Sequence, residues 1–161
     1  MLCHISAAYN LARWLLGDPN DAEDAVQEST IKAYKAFASH RGEDAKPWYL
    51  AIVRNSCTNL LKARNRKQDF EREEDETMPI PDPCDRPDVA MEKAFDAGRL
   101  KGAIESLPAS WKELVILREF ELMSYKELAE VTGTPIGTVM SRLSRARSRL
   151  LDLLTEEAHV L

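Results

Sequence analysis

A short acidic segment rich in proline divides this chain into two parts and limits the size of what either part can fold into. Residues 78–87 contain four prolines, and residues 71–76 contain five acidic side chains. Proline removes a backbone donor and ends helices, while neighbouring carboxylates repel one another. We therefore interpret residues 69–88 as a linker between two domains, residues 1–68 and residues 89–161.

The net charge of −5 is concentrated in the same part of the chain. Residues 69–96 carry a net charge of −8, whereas residues 1–68 carry +3 and residues 97–161 carry 0. The negative total therefore does not exclude nucleic acid as a partner of the flanking parts. No apolar run approaches the ~20 residues that span a bilayer, and no leader pattern is present, so we expect a cytoplasmic protein without membrane contact of its own.

Both flanking parts have the helical period of apolar residues and no convincing strand, which predicts an all-α fold. In the N-terminal part we expect helices over residues 7–16, 21–37 and 47–66. The second is expected to be capped by Asn20 or Asp21, and its apolar positions up to Phe37 keep helical spacing. In the C-terminal part we expect helices over residues 89–106, 111–120, 124–131 and 135–154. Ser110 is the expected cap of the second of these.

The last two helices have the layout of a helix-turn-helix. Ser124 and Glu127 have the spacing of a capping box, and Gly133 can take the positive φ of the turn. At ~100° per residue, the last helix has an expected core face: Ile136, Val139, Met140, Leu143, Ala146 and Leu150.

The opposite face of the last helix contains arginines and hydroxyls and no acid. Arginine suits bidentate contact with guanine edges and phosphates, and hydroxyls suit phosphates or bases. Arg147 projects towards the apolar side instead, and we expect it to pair with Glu119 or Glu121. The predicted DNA-reading residues are Thr138, Ser141, Arg142, Arg145 and Arg149.

A second polar face lies on the third helix, where one aromatic, two amides and two cations share one side. Such a set suits single-stranded nucleic acid, because the aromatic can stack on a base while amides and cations hold base edges and phosphates. A core position for the tryptophan is an equally good interpretation of the spacing. The residues are Trp48, Asn55, Asn59, Lys62 and Arg66.

Two blocks of sequence resemble bacterial RNA polymerase sigma factors of the extracytoplasmic function (ECF) group, the minimal branch of the sigma-70 family. Residues 21–34, 41–42, 48 and 52–55 are similar to region 2 of that family. Residues 107–108, 124–129 and 137–147 are similar to region 4. The two blocks occur in the order of the family on either side of the acidic linker.

The resemblance implies roles for particular residues. The helix with Asp24, Gln27 and Glu28 would bind the β′ clamp helices of core RNA polymerase, and region 4 would bind the β flap. Asn55 and Asn59 match positions that handle unpaired bases of the −10 promoter element, and loop 39–46 matches the loop that captures a flipped base. The face with Arg142 matches the reader of the −35 element. Members of the group are usually controlled by an anti-sigma factor.

The residues leave two other classes of protein open. One is a stand-alone helix-turn-helix regulator that binds an operator as a dimer. The other is a helical adapter that binds proteins only, against which the acid-free arginine face argues. We expect neither an enzyme nor a cofactor, because the histidines are scattered and no phosphate-binding loop is present. Cys3, Cys57 and Cys84 lack metal or disulfide spacing, and Cys57 is expected in the core.

Overall fold

The computed structural model describes residues 2–40, 44–71 and 90–158. Within these ranges there is no strand, which confirms the all-α prediction. The N-terminal domain consists of α1 (Ile5–Leu16), α2 (Pro19–Ala36) and α3 (Ala45–Glu71). The C-terminal domain consists of α4 (Ala90–Glu105), α5 (Ala109–Val115), α6 (Tyr125–Thr132) and α7 (Ile136–Ala158). Helix α3 includes residues 69–71 of the expected linker, and residues 72–88, including Cys84, lie outside the described residues.

The connection between α1 and α2 is shorter than expected: it contains only residues 17–18, whereas the sequence analysis left residues 17–20 between the two helices. The Asp18 carboxylate accepts hydrogen bonds from the backbone N–H groups of Asn20 at 2.8 Å and Asp21 at 3.1 Å. Capping by Asn20 or Asp21 was therefore the wrong prediction. Asp18 takes that role because Pro19 lacks an N–H and has the fixed φ that suits the first turn of a helix.

Helix α5 is shorter than the sequence predicts. It begins after Pro108 and has no side-chain cap, so the expected cap at Ser110 is wrong. A turn of π-helix, Ile116–Phe120, continues it, and the Glu121 N–H donates to Ile116 O at 3.3 Å. The chain then leaves the helix through Leu122, which has a φ of 55°.

The two local signals of the helix-turn-helix are confirmed. The Ser124 N–H donates to Glu127 Oε2 at 2.6 Å, and the Glu127 N–H donates to Ser124 Oγ at 3.3 Å, which completes the capping box. Gly133 ends α6 with a φ of 61°, a left-handed conformation that glycine adopts without steric cost. Helix α7 therefore begins in the position that a second helix of a helix-turn-helix requires.

The two domains pack directly against each other, with α3 on α6 and α1 on α5. Their buried apolar residues form one continuous cluster that includes Leu50 and Val53 of α3 and Leu128 of α6. Cys57 is buried in this cluster as predicted, and burial raises the pKa of its thiol to about 11. Phe37, the last apolar position of the expected second helix, is about half exposed, because α2 ends at Ala36.

Candidate nucleic-acid and polymerase interfaces

Helix α7 presents most of the predicted DNA-reading face to solvent. Ser141, Arg145 and Arg149 are exposed, and Thr138 and Arg142 are partly exposed. The Ser141 hydroxyl donates to Thr138 O at 3.0 Å, within the helix. The guanidinium groups of these arginines have no acidic neighbour on the same helix over residues 136–151. The face is therefore positively charged over the two or so turns from Arg142 to Arg149.

The expected core face of α7 is partly wrong. Val139, Leu143 and Ala146 are fully buried, as expected, but Ile136 and Met140 are 46% and 51% exposed. The buried stripe is centred on Val139, Leu143 and Ala146, because α7 contacts α4, α5 and α6 with that side. Ile136 and Met140 lie at the edge of the stripe on the side of Arg147, away from the predicted DNA-reading face.

Arg147 pairs with Glu119, which confirms that part of the sequence analysis. Its Nη2 and Nε atoms lie 2.6 Å and 3.2 Å from Glu119 Oε1. Hydrogen bonding to Glu119, and then to Tyr125, raises the pKa of Arg147 above its usual value. The pair joins α7 to the π-helical turn and keeps this guanidinium away from the DNA-reading face.

The polar face of α3 is also open to solvent. Asn55, Asn59, Lys62 and Arg66 are all exposed. Trp48 is only partly buried. It is therefore neither a core residue nor a fully exposed ring available for stacking on a base. Its ring stacks on His40 with centroids 4.5 Å apart, and Phe37 lies 6.4 Å away. One ring face of Trp48 is therefore already covered at the loop that precedes α3.

Helix α2 carries the residues expected to bind polymerase on its outer face. Asp24, Gln27 and Glu28 are exposed, and Glu28 pairs with Lys32 at 2.7 Å. The same face continues into two large apolar side chains that the sequence analysis did not select, Ile31 at 56% and Tyr34 at 76% exposed. Ile31 lies four residues after Gln27 and three after Glu28, and Tyr34 lies three residues after Ile31. This helical spacing is the signal that identifies them.

Two acidic residues of the C-terminal domain bind basic and amide groups of the N-terminal domain, which the sequence analysis did not foresee. Arg54 forms a bidentate pair with the buried Glu113, with Nε–Oε2 at 2.7 Å and Nη2–Oε1 at 3.0 Å. Glu121 accepts from Asn10 Nδ2 at 3.1 Å, and its backbone oxygen accepts from Lys46 Nζ at 2.9 Å. No pattern in the sequence links these distant positions.

Metal binding and membrane insertion have little support in the part of the chain that the structure describes. No group of three or more histidine, cysteine, aspartate or glutamate side chains is arranged to hold a metal ion among these residues. Within the same residues, every helix is too short or too polar to cross a bilayer. The solvent-exposed polar faces of α2, α3 and α7 are the main candidate binding surfaces.

A helix-turn-helix whose second helix presents arginines and hydroxyls, joined to a helical domain with an amide and cation face, is the arrangement typical of a two-domain nucleic-acid-binding protein. Comparison with known proteins narrows this class to one family. The family model for sigma-70 region 2 matches residues 2–67, and that for sigma-70 region 4 matches residues 97–150. The chain belongs to the ECF group of the sigma-70 family of RNA polymerase sigma factors.

Individual relatives cover both domains. The chain is 36% identical to the ECF RNA polymerase sigma-E factor of Haemophilus influenzae over 81% of this chain and 73% of the relative. It is 29% identical to the ECF RNA polymerase sigma factor SigE of Mycolicibacterium smegmatis, of which it spans 60%. The solved sigma factor RpoE of Bartonella quintana, in complex with the anti-sigma factor NepR, is 30% identical with a TM-score of 0.76, over 96% of this chain and 93% of that chain.

Proposed function

We propose that this chain binds core RNA polymerase and directs it to promoters by reading duplex DNA with α7 and unpaired bases with α3. The observation that carries the proposal is the solvent-exposed, acid-free face of α7 within a helix-turn-helix. Family membership supports it, because sigma factors are transcription initiation factors. On this proposal the chain works without catalytic chemistry of its own, in the cytoplasm, where polymerase and chromosome are found.

The proposal assigns polymerase binding to α2 and the C-terminal domain. Asp24, Gln27 and Glu28 would contact the β′ clamp helices, and the exposed Ile31 and Tyr34 would add apolar area beside them. An interface that combines a charged rim with a large exposed aromatic matches the composition of protein–protein contacts. The C-terminal domain would bind the β flap.

Promoter reading is divided between the two helices. On α7, Arg142, Arg145 and Arg149 would contact bases and phosphates of the −35 element, with Thr138 and Ser141 beside them. On α3, Asn55 and Asn59 would bind edges of unpaired −10 bases, while Lys62 and Arg66 hold phosphates. Trp48 would stack on a base through the ring face that His40 leaves open.

An anti-sigma factor is the proposed regulatory partner. The solved relative that matches this chain along 96% of its length is itself bound to an anti-sigma factor. The same match includes both domains, so the packed arrangement seen here resembles that of a regulated sigma factor. A stand-alone operator-binding regulator is not favoured, because residues 2–67 match sigma-70 region 2.

Transcription with reconstituted holoenzyme tests the assignment of α7. We expect Arg145→Ala to reduce initiation at −35-dependent promoters by about tenfold or more, since a good base or phosphate contact contributes ~1–3 kcal/mol. Lys101→Ala, an exposed cation on α4, is the matched control and should transcribe normally. Normal transcription by Arg145→Ala at every promoter would show that α7 does not read DNA with this face.

A further inference from the structure

A cavity of about 500 Å³ lies between the two domains, and the proposed function makes no use of it. Helix α1 and Gly17 form one part of its lining, and α4 and α5 form the rest. Its volume is within the range of small-molecule sites, which occur preferentially at domain interfaces. The cavity exists only while the domains are packed, because neither domain supplies the whole lining.

The lining is positively charged, although the whole chain has a net charge of −5. Three cations line the cavity: Arg13, Lys101 and Lys112. Among the described residues the one carboxylate in the lining is Glu105, whose Oε1 lies 3.8 Å from Lys101 Nζ, so these two charges largely offset each other. Within the same residues Lys112 has no acidic partner, and Arg13 donates only to the Gly17 backbone oxygen. One cation from each domain is therefore available to hold an anion.

Two aromatic side chains also line the cavity. The Trp14 ring already packs against Phe120, with centroids 6.0 Å apart. Tyr9 is partly buried, yet it forms neither a ring contact nor a side-chain hydrogen bond in the part of the chain that the structure describes. A phenol in this state can stack on a planar ligand and donate its hydroxyl proton to it. The cavity therefore combines an aromatic platform with two cations.

We infer that this cavity binds a nucleoside phosphate, with its base against Tyr9 and its phosphates held by Arg13 and Lys112. Any base can stack on the phenol ring, because every base has a π face. Phosphate suits the two cations, since a guanidinium binds its oxygens through paired N–H groups and an ammonium acts as a compact charge. The ligand would contact both domains at once.

A ligand held from both sides couples this cavity to the packing of the domains. Because it binds only the packed arrangement, linkage requires that it stabilises this arrangement over any in which the domains separate. Bound nucleotide would therefore oppose separation of the domains on polymerase or promoter DNA. This consequence rests on the proposed function, whereas binding in the cavity does not.

Isothermal titration calorimetry of the full chain with ADP and with GDP tests the site. We expect at least one of them to bind with a stoichiometry of one ligand per chain. The matched probes are the nucleoside, which keeps the base, and pyrophosphate, which keeps the phosphates. Each should bind about tenfold or more weakly than the nucleotide, because each makes only part of the contacts.

Two variants each remove one cation, from different domains. Arg13→Gln and Lys112→Gln should each weaken nucleotide binding by about tenfold, the value of one hydrogen bond to a charged group. Lys126→Gln, which replaces an exposed cation of α6 outside the cavity, is the matched control and should bind as the wild type does. Thermal unfolding without nucleotide should be the same in all four proteins, because the replaced side chains are not buried.

Several results would overturn the inference. They are absence of binding by both nucleotides, binding of pyrophosphate as tight as that of the nucleotide, and affinity that persists in either cation variant. The last result would show that the ligand does not bridge the domains.

Size-exclusion chromatography with core RNA polymerase tests the consequence. Saturating nucleotide should reduce co-elution of the wild type and leave that of Arg13→Gln unchanged. An equal reduction in both would place the effect on polymerase, and no reduction in either would show no coupling, so each overturns the consequence. Failure of the wild type to co-elute without nucleotide would contradict the proposed function and leave the nucleotide site standing.

Discussion

Ser29 is a residue whose surroundings do not suit its chemistry. Its side chain is fully buried on α2, and Ser29 Oγ has no hydrogen-bond partner among the described residues. The hydroxyl of the neighbouring Thr30, by contrast, forms two hydrogen bonds. One is with Val26 O at 2.7 Å and the other with Tyr49 OH at 2.8 Å. A buried hydroxyl without a partner loses the bonds that water gave it in the unfolded chain.

We therefore expect Ser29→Ala to raise the free energy of unfolding by about 1 kcal/mol. Urea denaturation of the two proteins measures the difference. Thr30→Val is the matched variant with the opposite expected sign, because it leaves the buried Tyr49 hydroxyl without its partner. A loss of stability in Ser29→Ala similar to that in Thr30→Val would contradict this account of the α2–α3 packing.

At the scale of elements, the connection from α5 to α6 contains a conformation that its residue disfavours. Leu122 has a φ of 55°, a left-handed conformation, and its side chain is 80% exposed. Burial of the side chain therefore does little to offset the strain in the backbone. For residues with a side chain beyond Cα this conformation costs ~1–2 kcal/mol, whereas glycine adopts it freely.

We expect Leu122→Gly to stabilise the protein by about 0.5–1 kcal/mol, since relief of backbone strain is partly offset by the greater freedom of glycine in the unfolded chain. The midpoint of urea denaturation gives the measurement. Leu122→Ala serves as the control and should bring no comparable gain, because alanine retains Cβ. Destabilisation by glycine would mean that the exposed leucine contributes more than the strain costs.

Local signals predicted the elements well and their packing less well. The Ser124–Glu127 capping box and Gly133 act through neighbours in sequence, and both were identified before the structure. Met140 was misplaced because a helical wheel gives the angle between residues but not the side on which other helices dock. Asp18 was missed because the second helix was expected to begin at residue 21, whereas Pro19 suits the first turn of a helix and makes the residue before it the cap.

At the scale of the whole molecule, the packing of the two domains matters for the proposed function. The −10 and −35 elements lie about 25 base pairs apart, or ~85 Å of duplex DNA. In the structure α3 packs on α6, so the two domains proposed to bind these elements are in direct contact. Simultaneous binding of both elements therefore requires the domains to separate. Arg54 and Glu113 are 59 residues apart in the sequence, which is why no local pattern revealed this contact.

We expect the Arg54–Glu113 pair to hold the packed arrangement. Glu113 is only 5% exposed, so removing its partner leaves a buried carboxylate uncompensated at a cost of about 3 kcal/mol. Arg54→Glu should therefore increase the radius of gyration measured by small-angle X-ray scattering, and Glu113→Arg should do the same. The double exchange restores opposite charges and should recover most of the compact form.

The Arg147–Glu119 pair provides the control for that experiment. Both of its side chains are about half exposed and belong to the C-terminal domain, so an exposed pair of this kind contributes ~1 kcal/mol or less. Exchanging its charges should leave the radius of gyration unchanged. Compact single variants at Arg54 and Glu113 would show that the apolar cluster alone holds the domains together.

The central claim, that this chain is a subunit that delivers RNA polymerase to promoters, is tested most directly by size-exclusion chromatography with bacterial core RNA polymerase. The account predicts stoichiometric co-elution of the purified chain with core enzyme, lost in the Asp24→Ala/Gln27→Ala double variant and retained in Lys101→Ala. No promoter sequence is needed. Elution apart from core enzyme of the same organism, with specific binding of duplex DNA by the chain alone, would contradict the account.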